Sequence, residues 1–249
     1  VIGLSLTLPP YESGQAYYWL AAGQSWEDVL RLDGLVKHKH PRGHLKRTAD
    51  YWRLWLRKES PGLELLPGPV AELYRRSLLV IRTQIDWQGG ILAANDSDVV
   101  YFNRDTYSYV WPRDAALVAC ALDQAGHPTA ARNFFRFIAG LLQPEGCLLH
   151  KFNPDGTLAS SWHPWYHEGQ PQLPIQEDST ALVVWALWQH FVLYRDLDFI
   201  KPLYRPLVKK TADFMCQYRD GETGLPAPCY DLWEERRGIL SFTVGTVFG

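Results

Sequence analysis

Residues 114–142 read DAALVACALDQAGHPTAARNFFRFIAGLL. Asp114 to Ala125 has the pattern of one helix and Thr129 to Leu142 that of the next, with Gly126-His127-Pro128 as a tight connection between them. Working outward, a helix begins near Val70 and is striped by Leu73, Leu78, Ile81 and Ile85. Asp178 to Tyr194 and Asp198 to Arg219 form a further pair, separated by a short break at Leu197. The links from Asp86 to Trp111 and from Gln143 to Gln176 are much longer. Short and long connections therefore alternate, which predicts helical hairpins whose long loops gather on one face. Long loops in a compact domain usually carry function. No short repeat is evident, which argues against a solenoid.

The first seventy residues have a different texture. Ile2, Leu4, Leu6 and Leu8 alternate with smaller or polar residues, and Gln15 to Ala22 is rich in Tyr and Trp, so both stretches read as strands. Two strands make no stable sheet alone, so residues 1–23 are expected to be the end of a β-domain. Ser25-Trp26-Glu27-Asp28 starts a helix with Ser25 as N-cap. Residues 24–69 read as a helical linker, interrupted at Pro41-Arg42-Gly43 and closed by the Pro/Gly-punctuated stretch Pro61 to Pro69. Lys37 to Arg47 holds five Lys or Arg and three His, read as a solvated face of that linker.

The 249 residues are enough to bury a sizeable core, and 47% are hydrophobic, which excludes a highly charged disordered chain. A formal charge of −2 speaks against a generally basic nucleic-acid binder. No apolar run approaches a membrane span. Cys120, Cys147, Cys216 and Cys229 are scattered with no C-x-x-C pair, so neither a zinc site nor a disulfide framework is expected, and a reducing cytoplasm fits. The chain opens at Val1, holds a single Met (Met215) and closes on the apolar run Leu240 to Gly249, so it reads as a fragment of something longer.

The unusual composition falls on the long loops. Tyr107-Ser-Tyr-Val-Trp111-Pro-Arg113-Asp114 leads into a helix, with Pro112 suited to its first position. Arg113 and Asp114 read either as an ordinary helix-start pair or as a polyol site, in which an aromatic covers the apolar face of a sugar while Arg and Asp meet its hydroxyls. His150-Lys151-Phe-Asn-Pro-Asp-Gly156 and Ser161-Trp162-His163-Pro-Trp165 again mix aromatic and hydrogen-bonding residues. His163, His167 and Glu168 lack the regular helix that would align them, so no metal is expected. Gln176-Glu177-Asp178 reads alone as common helix-entry chemistry. Tyr230-Asp231-Leu-Trp233-Glu234-Glu235 puts three carboxylates around a Trp. Clustered carboxylates beside an apolar wall have raised pKa values, as a general acid near neutral pH requires. Phosphate-loop, dinucleotide, zincin and serine-hydrolase signatures are absent.

Taken together, Tyr-Val-Trp-Pro-Arg-Asp ending at Asp114, Lys-Phe-Asn-Pro-Asp-Gly from Lys151, Gln-Glu-Asp from Gln176 and Tyr-Asp-Leu-Trp-Glu-Glu ending at Glu235 resemble glycoside hydrolase family 15, the glucoamylase-like enzymes, in its prokaryotic branch. The resemblance covers residues 70–249 well and the first seventy more loosely. It implies a mainly α chain: the first half of an (α/α)6 barrel over residues 70–249, preceded by the end of a β-sandwich and a helical linker. It implies inverting exo-hydrolysis of α-glucosidic bonds in gluco-oligosaccharides, with no cofactor. Glu234 would be the general acid, and Asp231 and Glu235 would support it or bind sugar. Arg113 and Asp114 would grip the terminal glucose, Tyr107 and Trp111 would lie near the reacting ring, Lys151 would reach substrate and Trp233 would shape the site.

Two departures from the family stand out. Fungal members carry a Trp four residues before the Gln of the third motif; here that residue is Gln172, with Trp162 or Trp165 as substitutes. The general base of the family lies far downstream of the acid, whereas this chain ends fifteen residues after Glu234. The chain alone is therefore expected to be inactive and poorly stable. A trehalase on the same scaffold and a non-catalytic carbohydrate-binding protein are the alternatives.

Overall fold

The computed structural model describes residues 4–57, 62–95, 107–159 and 165–249. Val1, Ile2, Pro61, Ser161, Trp162 and His163, named above, lie outside the described residues. The chain divides into two units, Val1–Arg57 and Lys58–Gly249, with the division falling inside the stretch read as a linker.

Among its described residues the first unit holds two helices, α1 (Trp26–Lys39) and α2 (Pro41–Arg57). The Ser25 side chain accepts the Asp28 backbone N–H at 3.1 Å, the cap expected from the sequence. Glu27 and Asp28 at its start and Lys37, His38 and Lys39 at its end complement the helix dipole. His40, at a φ of 59°, and Pro41 break the run. The strands expected in the first 23 residues are not found: residues 4–23 form no strand, and Leu4, Leu6 and Leu8 are exposed. An alternating pattern becomes a strand only by pairing, and no described strand pairs with this segment. Instead Trp19 Nε1 donates to Asp33 of α1 at 3.1 Å, and Tyr17 stacks edge-on against His40.

The second unit is helical around a dense core. After a 3-10 turn at Leu63–Leu65 come α3 (Gly68–Thr83), α4 (Pro112–Gln124), α5 (Pro128–Ala139), α6 (Glu177–Tyr194), α7 (Leu197–Leu203), α8 (Lys210–Gln217) and α9 (Ser241–Phe248). Ala115, Ala116 and Ala119 of α4 are buried, as are Ser179, Ala181, Val183 and Ala186 of α6. Small residues on both faces let these two helices pack most extensively of any pair among the described residues. α5 contributes Phe134, Phe135 and Ile138, all fully buried, each stabilising by roughly 1.5–3 kcal/mol of apolar burial.

The turn between α4 and α5 behaves as its sequence predicts. His127 N–H reaches the Leu122 carbonyl at 2.8 Å, Gly126 N–H reaches the Asp123 carbonyl at 3.1 Å, and Gly126 takes a φ of 77°. The helix read over Asp198 to Arg219 is instead interrupted by a π turn at Tyr204–Lys209. Pro206 has no N–H to donate, and its ring crowds the carbonyl of Pro202, so the regular ladder cannot continue. A buried polar cluster ties α4, α5 and α6 together. His190 Nδ1 lies 2.8 Å from Asp123 Oδ2, Arg132 Nε donates to His190 Nε2 at 3.2 Å, and Tyr194 donates to the Asp123 carbonyl.

Two short hairpins complete the described residues: β1 (Tyr166–His167) with β2 (Gln170–Pro171), and β3 (Cys229–Tyr230) with β4 (Arg237–Gly238), both antiparallel. Among the described residues no helix is long and apolar enough to cross a membrane.

Candidate active site

The loop that leads into α4 is held on both sides. Val110 exchanges backbone hydrogen bonds with Phe152 at 2.8 and 2.9 Å, while Ala93 and Ala94 donate to the carbonyls of Tyr109 and Tyr107. Pro112 then opens α4, which sets Arg113 and Asp114 in its first turn beside Trp111. A cavity of about 380 Å³ lies here, lined by Ala93, Tyr107, Trp111, Arg113, Asp114, Leu232 and Trp233. Its size suits a small ligand. The tip of the β3–β4 hairpin supplies Leu232 and Trp233, and Trp233 stands 77% exposed.

Arg113 is anchored from behind. Its Nη1 donates to Gln176 Oε1 at 3.0 Å and to Asp178 Oδ2 at 3.2 Å, and its Nη2 lies 3.4 Å from Asp114. Asp178 is buried, and burial pushes its carboxyl pKa up while the Arg113 guanidinium pulls it back. Asp114 is half exposed and lines the cavity. The guanidinium is thus held in place by protein groups, with the Asp114 carboxylate presented to whatever enters.

Glu234 follows Trp233 directly, yet turns inward and is 1% exposed. It adopts a left-handed backbone, φ 58°, and its Oε2 lies 3.9 Å from His150 Nε2. His150 packs its ring on Trp165, which meets Tyr230 edge-on. Asp231 is occupied in shaping the hairpin: its carboxylate accepts the backbone N–H groups of Glu235 at 2.9 Å and Arg236 at 3.3 Å. Glu235 is exposed and, like Asp231 and Glu234, is not among the residues lining the cavity. Lys151 is fully buried behind the cavity wall, its Nζ 5.2 Å from the Tyr109 ring and 5.3 Å from the Trp111 ring. The rest of its motif is a turn: Asn153 and Thr157 pair across it, and Thr157 donates to Asp155, which holds the Asp155 carboxyl below its usual pKa.

The structure therefore gathers Tyr107, Trp111, Arg113, Asp114 and Trp233 around one cavity. Glu234 is buried beside His150, Lys151 sits behind the wall, and Asp231 and Glu235 lie within the loop. Four residues of the quoted segments had no role assigned from the sequence. His150 stands beside Glu234, Gln176 and Asp178 hold Arg113, and Glu177 is buried with no hydrogen-bond partner for its carboxyl among the described residues. Burial lifts the Glu177 pKa to about 7, with Asp178 adding to the rise and Arg219 opposing it. The sequence signal was the Gln-Glu-Asp run itself, which looks like any acidic helix start. His167 and Glu168 are exposed, and no group of three His, Cys, Asp or Glu suited to a metal ion occurs among the described residues.

Residues 70–247 match the model of glycosyl hydrolases family 15. A protein of Methanocaldococcus jannaschii named as an uncharacterized glycosyl hydrolase is 28% identical over 180 residues, 72% of this chain and 25% of its own length. Trehalase 2 of Sulfolobus acidocaldarius is 28% identical over 189 residues, 68% of this chain and 32% of its own length. A solved wild-type glycosidase superposes with a TM-score of 0.54 at 23% identity, covering 76% of this chain and 49% of that one. The chain thus spans about a quarter to a third of the curated relatives it matches, and about half of the solved structure. The mainly helical fold, the four loop motifs and the family match over most of the second unit agree: this chain belongs to glycosyl hydrolase family 15.

Proposed function

We propose that the protein carrying this chain hydrolyses α-glucosidic bonds from the non-reducing end of gluco-oligosaccharides, with inversion, and that Glu234 is the general acid. The observation that carries this reading is the junction of Trp233 and Glu234. One residue helps line a cavity edged by Tyr107, Trp111, Arg113 and Asp114, and the next is a buried carboxyl. Aromatic faces suit a sugar ring, and the Arg113–Asp114 pair suits its hydroxyls. A carboxylic acid is a group that can pass a proton to the leaving oxygen. An inverting site also needs a carboxylate about 6.5–9.5 Å from the acid to activate water, and no residue of this chain is assigned that role.

Trehalose is the second substrate to weigh, because one relative is named a trehalase. Both trehalose and maltose present a terminal α-glucose to the same cavity. The test uses the full-length protein with maltose, maltotetraose, isomaltose and trehalose, following the first-released anomer by proton NMR. The expected result is β-glucose from one of these sugars, and a loss of at least ~100-fold in kcat for Glu234→Gln with sugar binding retained. Sugar binding without any turnover would instead favour a carbohydrate-binding protein.

A further inference from the structure

We infer that Gln176 is a positioning residue that couples the grip on the sugar to the placement of the acid, an inference that rests on the hydrolase reading above. Gln176 is fully buried at the start of α6, and its amide is used at both ends. Its Oε1 accepts from Arg113 Nη1 at 3.0 Å. Its Nε2 donates to the Asp231 backbone carbonyl. That orientation of the amide is dictated by the partners, because a guanidinium can only donate and a carbonyl can only accept.

The Asp231 carbonyl is the decisive atom. It also accepts the backbone N–H of Glu234 at 3.0 Å, the bond that closes the turn on which Glu234 sits. One lone pair of that carbonyl thus serves Gln176 and the other serves the backbone of the acid. Glu234 is in the left-handed region, where a non-glycine residue stays only if its surroundings hold it. A side chain fixed to Arg113 at one end therefore restrains the turn geometry of Glu234 at the other. Arg113 keeps a second anchor in Asp178, so losing Gln176 weakens the hold on the acid more than the hold on the guanidinium.

The experiment separates the two arms by leaving group. Fluoride departs from α-glucosyl fluoride with little need of a proton, whereas a sugar alcohol needs the acid. Gln176→Met is compared with wild-type full-length protein on the fluoride and on maltose or trehalose, whichever the wild type cleaves. The expected kcat loss is at least ~10-fold greater on the disaccharide than on the fluoride, with KM changing by less than about threefold. A second variant, Gln176→Glu, is assayed at pH 7 or above, where Arg113 favours the charged form of the new carboxyl. It restores an oxygen to Arg113 but not the donor to Asp231, so it keeps the disaccharide-selective loss. A parallel loss on both substrates, or a loss confined to KM, overturns the inference. A wild type that cleaves no α-glucoside overturns the hydrolase reading, and the inference falls with it.

Discussion

Arg113 Nη1 donates to Asp178 Oδ2 at 3.2 Å, joining the second residue of α4 to the second residue of α6. Both side chains are nine-tenths or more buried. Removing one partner of such a pair leaves the other charge uncompensated, which costs about 3–5 kcal/mol. Arg113→Met should therefore lower the urea midpoint sharply, and Arg113→Met with Asp178→Asn should recover part of the loss. A single variant as stable as wild type would mean that the pair does not hold the two helix starts together.

Glu177 makes stability pH-dependent. Its pKa rises from 4.5 to about 7 on folding. The folded state then binds more protons than the unfolded one between these values, so stability is fully present below about pH 4.5 and falls as pH climbs to 7. The loss is up to roughly 3 kcal/mol. Glu177→Gln cannot ionise, and it should be the more stable of the two proteins at pH 8. Thermal melts at pH 5 and pH 8 check this; equal pH slopes for both would refute it.

Trp111 and Trp233 line the same cavity but differ in burial, at 5% and 77% exposed. Trp233→Ala should leave the melting temperature nearly unchanged and weaken sugar binding about tenfold, by loss of an aromatic face. Trp111→Ala removes a side chain packed against Tyr107, Tyr109 and Lys151 and should cost about 3–5 kcal/mol of stability. Fluorescence titration with maltose and chemical denaturation separate the two effects.

Gly146 sits at a φ of 102°, and a Cβ there would lie 2.3 Å from the Lys210 carbonyl oxygen. Gly146→Ala must move backbone and is expected to destabilise by several kcal/mol, beyond the roughly 1 kcal/mol of an unfavourable φ alone. Gly224, at a φ of 68° with nothing near its Cβ position, is the control and should show only the smaller cost on Ala substitution.

Local signals were legible in the sequence, and distant pairings were not. Ser25 caps α1, and Gly126 ends the turn after α4, because each acts on backbone within a few residues. The loop aromatics and the Arg113–Asp114 pair were visible as an unusual composition, and their meeting in one cavity depends on the fold. Gln176 and Asp178 were legible as part of a motif but not in their roles, since those lie in contacts made 55, 63 and 65 residues away. The same holds for His190, whose partner Asp123 is 67 residues distant. Residues 4–23 misled for the opposite reason: their alternation is real, but a strand needs a neighbour that a pattern alone does not supply.

The left-handed backbone of Glu234 has a consequence for how this sequence can drift. Glycine would occupy a φ of 58° at no steric cost, and a side chain there forfeits about 1 kcal/mol. Glu234→Gly would therefore relax the hairpin while erasing its carboxyl. The same exchange empties a fully buried side-chain site, so the backbone gain is set against the cavity it leaves. As the acid proposed above, Glu234 would be kept by chemistry where the main chain prefers no side chain.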